Sequence, residues 1–220
     1  VVKAIVTSQG AGSLERSFMF DIGSGGALVL HSPFVTEHRL PGPDMKTIRA
    51  IGGAGAGGRT AGRFGRVTTL RIGSFVIANP IALFSEDTAG AFADPSLAGN
   101  IGARIASRFR IFFDYGRRRM ILEPSPTFAE PFDHAFSGIA LRAERPDYHA
   151  FRVREVLEES PATDAGLAVG DIIVSIDGAP AESLTLSAIN EMLEKPVTRE
   201  LVIRRGEQTM RTTLTPKRPI

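Results

Sequence analysis

The chain has 220 residues and a net charge of only +2, which fits one large domain or two small ones and gives no sign of a basic nucleic-acid-binding surface. Cysteine is absent, which excludes disulfides, thiolate metal sites and a cysteine nucleophile, and no apolar run is long enough to span a membrane. Glycine (23 residues) and proline (14 residues) are frequent, and they favour many short strands and turns over long helices.

The first half of the chain is predicted to consist of short strands joined by tight turns. Strands are expected at 1–6, 16–20, 27–30, 67–72, 75–77, 82–85, 110–115 and 119–122, and short helices at 32–38 and 101–109. Ser32 is expected to cap the first of these helices, because Pro33 follows it. The chain opens inside a strand, so the natural N-terminus is expected to lie upstream.

A change of composition divides the sequence at 125–131. The stretch around it holds three prolines and no periodic pattern, which predicts a linker between a domain at 1–124 and a second at 132–220. In the second domain strands are expected at 138–142, 151–156, 172–176, 199–204 and 210–214, and helices at 161–165 and 186–194.

The most specific motif is SPATDAGLAVGDIIVSIDG, which runs from Ser160 to Gly178. It predicts a short helix closed by Gly166, a tight Gly170–Asp171 turn, a buried strand and an Asp–Gly turn. The motif resembles the PDZ domains of bacterial proteases. The resemblance implies a β-sandwich or partly open barrel with two short helices.

A PDZ domain binds an extended peptide as an added strand beside a carboxylate-binding loop. The resemblance places that loop at Phe136, Ser137, Gly138 and Ile139, whose backbone N–H groups would form a nest for a terminal carboxylate. One groove wall would come from Ile139 and Leu141, and the other from Ile189 and Leu193. The competing interpretation is that these apolar side chains only fill the core. If the loop binds the carboxylate, Gly138→Val should abolish binding with the fold intact.

A second motif, Asp21-Ile22-Gly23-Ser24, follows an apolar strand. A glycine-rich stretch that contains Gly52, Gly53, Ala54 and Gly55 comes next, and then Ala98-Gly99-Asn100-Ile101-Gly102 and the closing strands at 109–122. In this order the segments resemble one lobe of the bacterial retropepsin-like aspartic proteases. The fold class expected is therefore mainly β, a retropepsin-like acid-protease lobe followed by a PDZ domain.

The retropepsin resemblance implies roles for the same residues. Asp21 would be a catalytic carboxylate, supported by Gly23 and Ser24, and the glycine-rich hairpin would be a flap over the substrate. Two such carboxylates share a proton and activate a water, and this chain supplies one. A second lobe would come from an upstream half or from a homodimer.

Ile22 departs from the family pattern, because a threonine or serine usually follows the aspartate. Two hypotheses therefore stand. The first is an aspartic endopeptidase whose PDZ domain binds peptide ends. The second is a catalytically degenerate pseudo-protease that acts as a peptide-binding scaffold. No cofactor, metal or nucleic acid is expected for either, the partners expected are peptides or proteins, and a periplasmic or secreted location is expected.

Overall fold

The computed structural model describes residues 1–55, 58–132, 135–218 and 220, and for 50–55, 58 and 59 it describes the backbone alone. These residues form a mainly β structure with four short α-helices, which confirms the mainly β part of the predicted class. The chain divides into two compact units, residues 1–132 with Ile220 and residues 133–219. None of the described helices is both long and apolar enough to cross a membrane.

Nine strands of the first unit form one sheet. They are β1 (Val2–Ser8), β2 (Gly12–Phe20), β3 (Leu28–Leu30), β4 (Ile48–Gly55), β5 (Gly58–Arg66), β6 (Thr69–Ile72), β7 (Phe75–Ala78), β8 (Ile81–Ser85) and β9 (Gly99–Ile101). Their order is β4-β5-β8-β3-β9-β2-β1-β6-β7. In β1, Ala4, Val6 and Ser8 are buried and the residues between them are less so, as expected for a strand with one face on a core.

The central strand of this sheet, β9, lies between two strands, β2 and β3, that are distant from it in sequence. β9 runs parallel to β2, with Phe18 opposite Gly99, and antiparallel to β3, with Val29 opposite Asn100. Only glycine fits at position 99, because a Cβ there would lie 1.9 Å from the carbonyl oxygen of Val29. The insertion holds the turn that follows β2, since the N–H of Asp21 donates to the carbonyl of Ile101 at 2.9 Å.

The remaining elements of the first unit are two short helices and a separate hairpin. They are α1 (Ser32–Glu37), α2 (Ala103–Ala106), β10 (Phe109–Asp114) and β11 (Arg119–Pro124), with a 3-10 turn at Ala91–Ala93. The cap of α1 is His31 and not Ser32 as predicted. The Ser32 hydroxyl donates instead to the carbonyl of Asp87, so a tertiary contact replaces the local one.

The segment predicted to be a linker, 125–131, belongs to the first unit and is held there by Arg108 and by aromatic rings. Arg108 is buried, and its guanidinium donates to a row of carbonyl oxygens and stacks 3.8 Å from the centre of the Phe132 ring. The acceptors are the carbonyls of Thr127, Phe128, Glu130 and Pro131. Phe128 and Phe132 also pack with the hydrophobic core of this unit. A segment without regular secondary structure is thus fixed by hydrogen bonds from Arg108 to its backbone carbonyls and by the packing of two aromatic rings.

The second unit is a smaller sheet with two helices. Its strands are β12 (Ile139–Glu144), β13 (Ala150–Val156), β14 (Ile172–Ile176), β15 (Ala179–Pro180), β16 (Arg199–Arg205) and β17 (Gln208–Leu214), and its helices are α3 (Pro161–Asp164) and α4 (Leu186–Leu193). The order is β12-β13-β14-β16-β17, with β15 paired to β14. β12 therefore lies at an edge. The core includes Phe151, Val153, Ile176, Ile189, Leu193 and Leu201.

Candidate functional site

The loop before β12 is fixed to the rest of its unit at two points. Phe136 forms an isolated bridge with Lys217, in which each N–H donates to the other residue's carbonyl at 2.8 and 3.1 Å. Two residues on, the Gly138 carbonyl accepts from the N–H of Leu157 at 2.8 Å. Gly138 has a φ of +84°, a conformation that glycine adopts far more readily than other residues.

Three successive N–H groups of this loop have no hydrogen-bond partner among the described residues. Ser137 and Gly138 are buried, yet neither donates a hydrogen bond from its backbone to another described residue. Ile139 is opposite Val156, and because the Leu157–Gly138 bond precedes this pair, the Ile139 N–H points away from β13 toward the open edge. Backbone N–H groups without a partner are uncommon at buried residues, so this loop is suited to an acceptor from outside the chain.

Apolar side chains adjoin the loop along β12 and α4, which contact each other. Ile139 and Leu141 are half-buried, and their role as a groove wall stays a prediction. Ile189 and Leu193, predicted to form the other wall, are buried at 0% and 2% exposure and belong to the core. The apolar side chains of α4 that remain partly exposed, and could therefore contact a ligand, are Leu186 and Met192.

The Gly170–Asp171 turn of the motif is held by a buried carboxylate. Asp171 is 1% exposed and accepts two hydrogen bonds from Arg205, at 2.7 and 2.8 Å, and one from the N–H of Ala168 at 2.8 Å. Burial alone would raise the pKa of Asp171, but these hydrogen bonds outweigh it and hold the pKa below its usual value. The residue is structural, because it fixes the start of β14.

In the first unit, Asp21 lies in the turn after β2 with both carboxylate oxygens engaged. Oδ1 accepts from the N–H of Gly23 at 3.0 Å, and Oδ2 accepts from the Asn100 side-chain amide at 3.2 Å. The other end of that amide is 2.9 Å from Nε2 of His31, which is 1% exposed. The retropepsin resemblance placed the segment that contains Asn100 behind this turn but gave Asn100 no role, and sequence reasoning did not assign His31 to it, since nothing in the spacing links the two positions.

The structure assigns no catalytic contact to the other predicted residues of the first unit that it describes. Ser24 makes backbone hydrogen bonds to Asp21 and Ala103, and no hydrogen bond from its hydroxyl to the Asp21 carboxylate is found in the described structure. Ile22 is 63% exposed. Gly52, Gly53, Ala54 and Gly55 belong to β4 by their backbone, and the surroundings of their side-chain positions lie outside the described residues. The described residues hold no group of three or more His, Asp or Glu that could bind a metal ion.

The comparison with protein families decides the nature of the second unit. Residues 152–205 match the family model of the PDZ domain. The chain contains a PDZ domain. The loop at 136–139 and strand β12 precede the matched residues, so the family match does not itself cover the proposed carboxylate nest.

Similar proteins include HtrA serine proteases. The serine protease HTRA1 of Xenopus laevis is 44% identical over 63 residues, which are 29% of this chain and 13% of that protein. Its counterpart from Xenopus tropicalis is 43% identical over 65 residues, 29% of this chain and 14% of that protein. The solved HtrA3 PDZ domain, bound to the phage-derived ligand FGRWV, is 28% identical, with 38% of this chain and 85% of that one covered and a TM-score of 0.35.

The chain spans about one eighth of the length of the curated relatives it matches. The prediction of an aspartic-type peptidase is contradicted by these comparisons, because the matched relatives are serine proteases. The site offers a physical reason: Ile22 has no hydroxyl, and no second carboxylate is hydrogen-bonded to Asp21 among the described residues. Nor does any described serine hydroxyl hydrogen-bond to a histidine ring, so a serine nucleophile is not assembled in this part of the chain either.

Proposed function

We propose that the second unit binds the C-terminal end of an extended peptide at the loop 136–139 and the open edge of β12. The observation that carries the proposal is the set of N–H groups at Ser137, Gly138 and Ile139, of which two belong to buried residues and have no partner in the described chain. A terminal carboxylate supplies several lone pairs in a small volume, which suits three adjacent donors.

The rest of the peptide would pair with β12 as an added antiparallel strand. β12 has one neighbour in the sheet, β13, so its other edge can accept main-chain hydrogen bonds. The half-buried Ile139, Leu141, Leu186 and Met192 favour an apolar last side chain. Affinity is expected to be about micromolar, because ordering a flexible peptide offsets much of the contact energy.

Calorimetry on the 220-residue chain tests this proposal with FGRWV, the ligand of the HtrA3 domain, in free and amidated forms. We expect the free form to bind at least about tenfold more tightly, because amidation removes the charge that the nest accepts. Equal affinities would refute binding of the terminal carboxylate and would favour recognition of an internal peptide segment as the added strand. If neither this peptide nor a panel with other apolar last residues binds, peptide binding itself is refuted.

A pair of variants isolates the nest from the groove wall. Ile139→Pro removes a donor that the sheet does not use, whereas Ile139→Ala shortens the same side chain and keeps the N–H. Both should weaken apolar contact, and only the proline variant should reduce the preference for the free carboxylate. An equal preference in both variants would show that the Ile139 N–H does not contact the carboxylate.

For the first unit we propose a retropepsin-like lobe without peptidase activity, which makes the whole chain a peptide-binding scaffold. The support is the path of β9 behind the Asp21 turn, between β2 and β3, together with Ile22 in the position of the usual hydroxyl residue. Incubation with casein between pH 3 and 8 should give no cleavage. Cleavage would refute the scaffold proposal, and labelling by a fluorophosphonate probe would point to a serine nucleophile.

A further inference from the structure

The geometry points to Ser160 as a positioning residue for the carboxylate nest, acting from the N-cap of α3. The inference rests on the proposed peptide binding and adds to it the element that holds the loop. Ser160 is only 7% exposed, and it lies twenty-two positions beyond Gly138, so that one precedes and the other follows the β12–β13 hairpin in the chain.

Ser160 fills the space where any residue other than glycine would carry a side chain at position 138. A Cβ on Gly138 would lie 2.2 Å from Oγ and 2.3 Å from Cβ of Ser160, far below van der Waals contact. The loop backbone is thus in direct contact with the serine side chain. Contact on this face limits where the N–H groups of Ser137 and Gly138 can turn.

The hydroxyl of Ser160 also reaches the loop through Leu157. The hydroxyl donates to the Leu157 carbonyl at 2.6 Å, and the N–H of Leu157 donates in turn to the Gly138 carbonyl at 2.8 Å. In the other direction Ser160 Oγ accepts from the N–H of Thr163 at 3.4 Å, and Thr163 Oγ1 accepts from the N–H of Ser160 at 2.9 Å. This reciprocal pair is a capping box, and it joins the start of α3 to the loop.

The other attachment of the loop to α3 is weaker. Lys217, whose backbone pairs with Phe136, donates from Nζ to Asp164 at 3.0 Å, but both side chains are more than 60% exposed. Exposed ion pairs of this kind contribute little to stability. The buried contacts of Ser160 therefore carry the connection.

Two variants of the 220-residue chain separate positioning from capping. Ser160→Ala removes the hydroxyl that contacts the loop, and Thr163→Val removes the reciprocal half of the same capping box without touching Gly138. Both should lower the stability of the second unit to a similar extent. With FGRWV as the probe, Ser160→Ala should bind the free peptide about tenfold more weakly and the amidated peptide unchanged, because only the carboxylate contact is displaced.

The comparison of free with amidated peptide gives a readout that a purely structural role would not change. If Ser160→Ala keeps the wild-type preference for the free form while losing stability as Thr163→Val does, Ser160 is a cap alone and the inference is wrong. If Thr163→Val loses the preference as well, the effect belongs to the helix and not to Ser160. A wild-type chain without any preference refutes the carboxylate nest first, and with it the need for a positioning residue.

Discussion

Replacing Gly138 with alanine is expected to destabilise the second unit by about 2–4 kcal/mol, from two separate penalties. A φ of +84° is strained for any residue with a Cβ, by roughly 1 kcal/mol. The new methyl group would also lie 2.2 Å from Ser160 Oγ, and forcing an extra carbon into a packed site costs about 1–3 kcal/mol. Valine would add further atoms, so the expectation that Gly138→Val leaves the fold intact is wrong.

Gly178→Ala is the matched control for the backbone part. Gly178 has a φ of +81°, and a Cβ there would meet nothing within 4 Å, so only the strain of about 1 kcal/mol is expected. Gly138→Ala should therefore cost more stability than Gly178→Ala. The double variant Gly138→Ala/Ser160→Gly should recover most of that difference in stability, because it removes the side chain that the new methyl group would meet. Glycine is a tolerated N-cap, at a loss of a few tenths of a kcal/mol.

Hydrogen exchange of the β14 and β16 amides in increasing urea measures the stability of this unit in the full chain, without a contribution from the first unit. Equal losses for Gly138→Ala and Gly178→Ala would mean that no close contact exists between Gly138 and Ser160. A double variant no more stable than Gly138→Ala would refute the same contact independently. Either result would also remove the geometric basis for Ser160 as a positioning residue.

Asp171→Asn should destabilise the second unit by about 1–3 kcal/mol, because it weakens a buried charged hydrogen-bond set. Since the folded-state pKa of Asp171 lies below the unfolded one, its contribution is present above about pH 4 and is lost as the pH falls through the folded-state value, so acid unfolding of the variant should be less steep. Gly99→Ala should disrupt the first unit, while Gly26→Ala, with no atom within 4 Å of its Cβ, should leave the thermal unfolding curve nearly unchanged. Arg108→Met should accelerate thermolysin cleavage near Phe128, whereas equal cleavage rates in variant and wild type would show that the carbonyl contacts of Arg108 do not hold the segment.

The sequence predicts the local structure well where turn chemistry is decisive. The hairpin at Gly73 and the Asp177–Gly178 turn join strands at the positions expected, because a positive φ at these residues has few alternatives. In the motif from Ser160 to Gly178 the helix stop, tight turn and buried strand were predictable for the same reason, whereas the PDZ domain itself was predicted from the resemblance of this motif to bacterial-protease PDZ domains. The turns and the local structure of the motif are both short-range features.

The candidate site was less predictable, because its contacts join distant positions. Helical spacing places Ile189 and Leu193 on one face of α4, but it does not say whether that face meets the core or a groove, and it meets the core. The contact between Gly138 and Ser160 depends on the approach of two separate elements. At Asp21 the turn resembled that of an aspartic protease, yet a motif establishes a conformation and not an activity, and the peptidase prediction was wrong.

The position of β9 between β2 and β3 has a consequence for the order in which the first unit folds. The pairing of β1 with β2 closes a loop of only four residues, from Ser8 to Gly12. The pairing of β2 with β9 joins Phe18 to Gly99, which are about 80 residues apart in the chain. Closing the longer loop costs about 2.7 kcal/mol more chain entropy than closing the shorter one. During synthesis the β1–β2 hairpin can therefore form early, but the Asp21 turn waits for the carbonyl of Ile101, and until that residue arrives the inner edges of β2 and β3 are open to other chains.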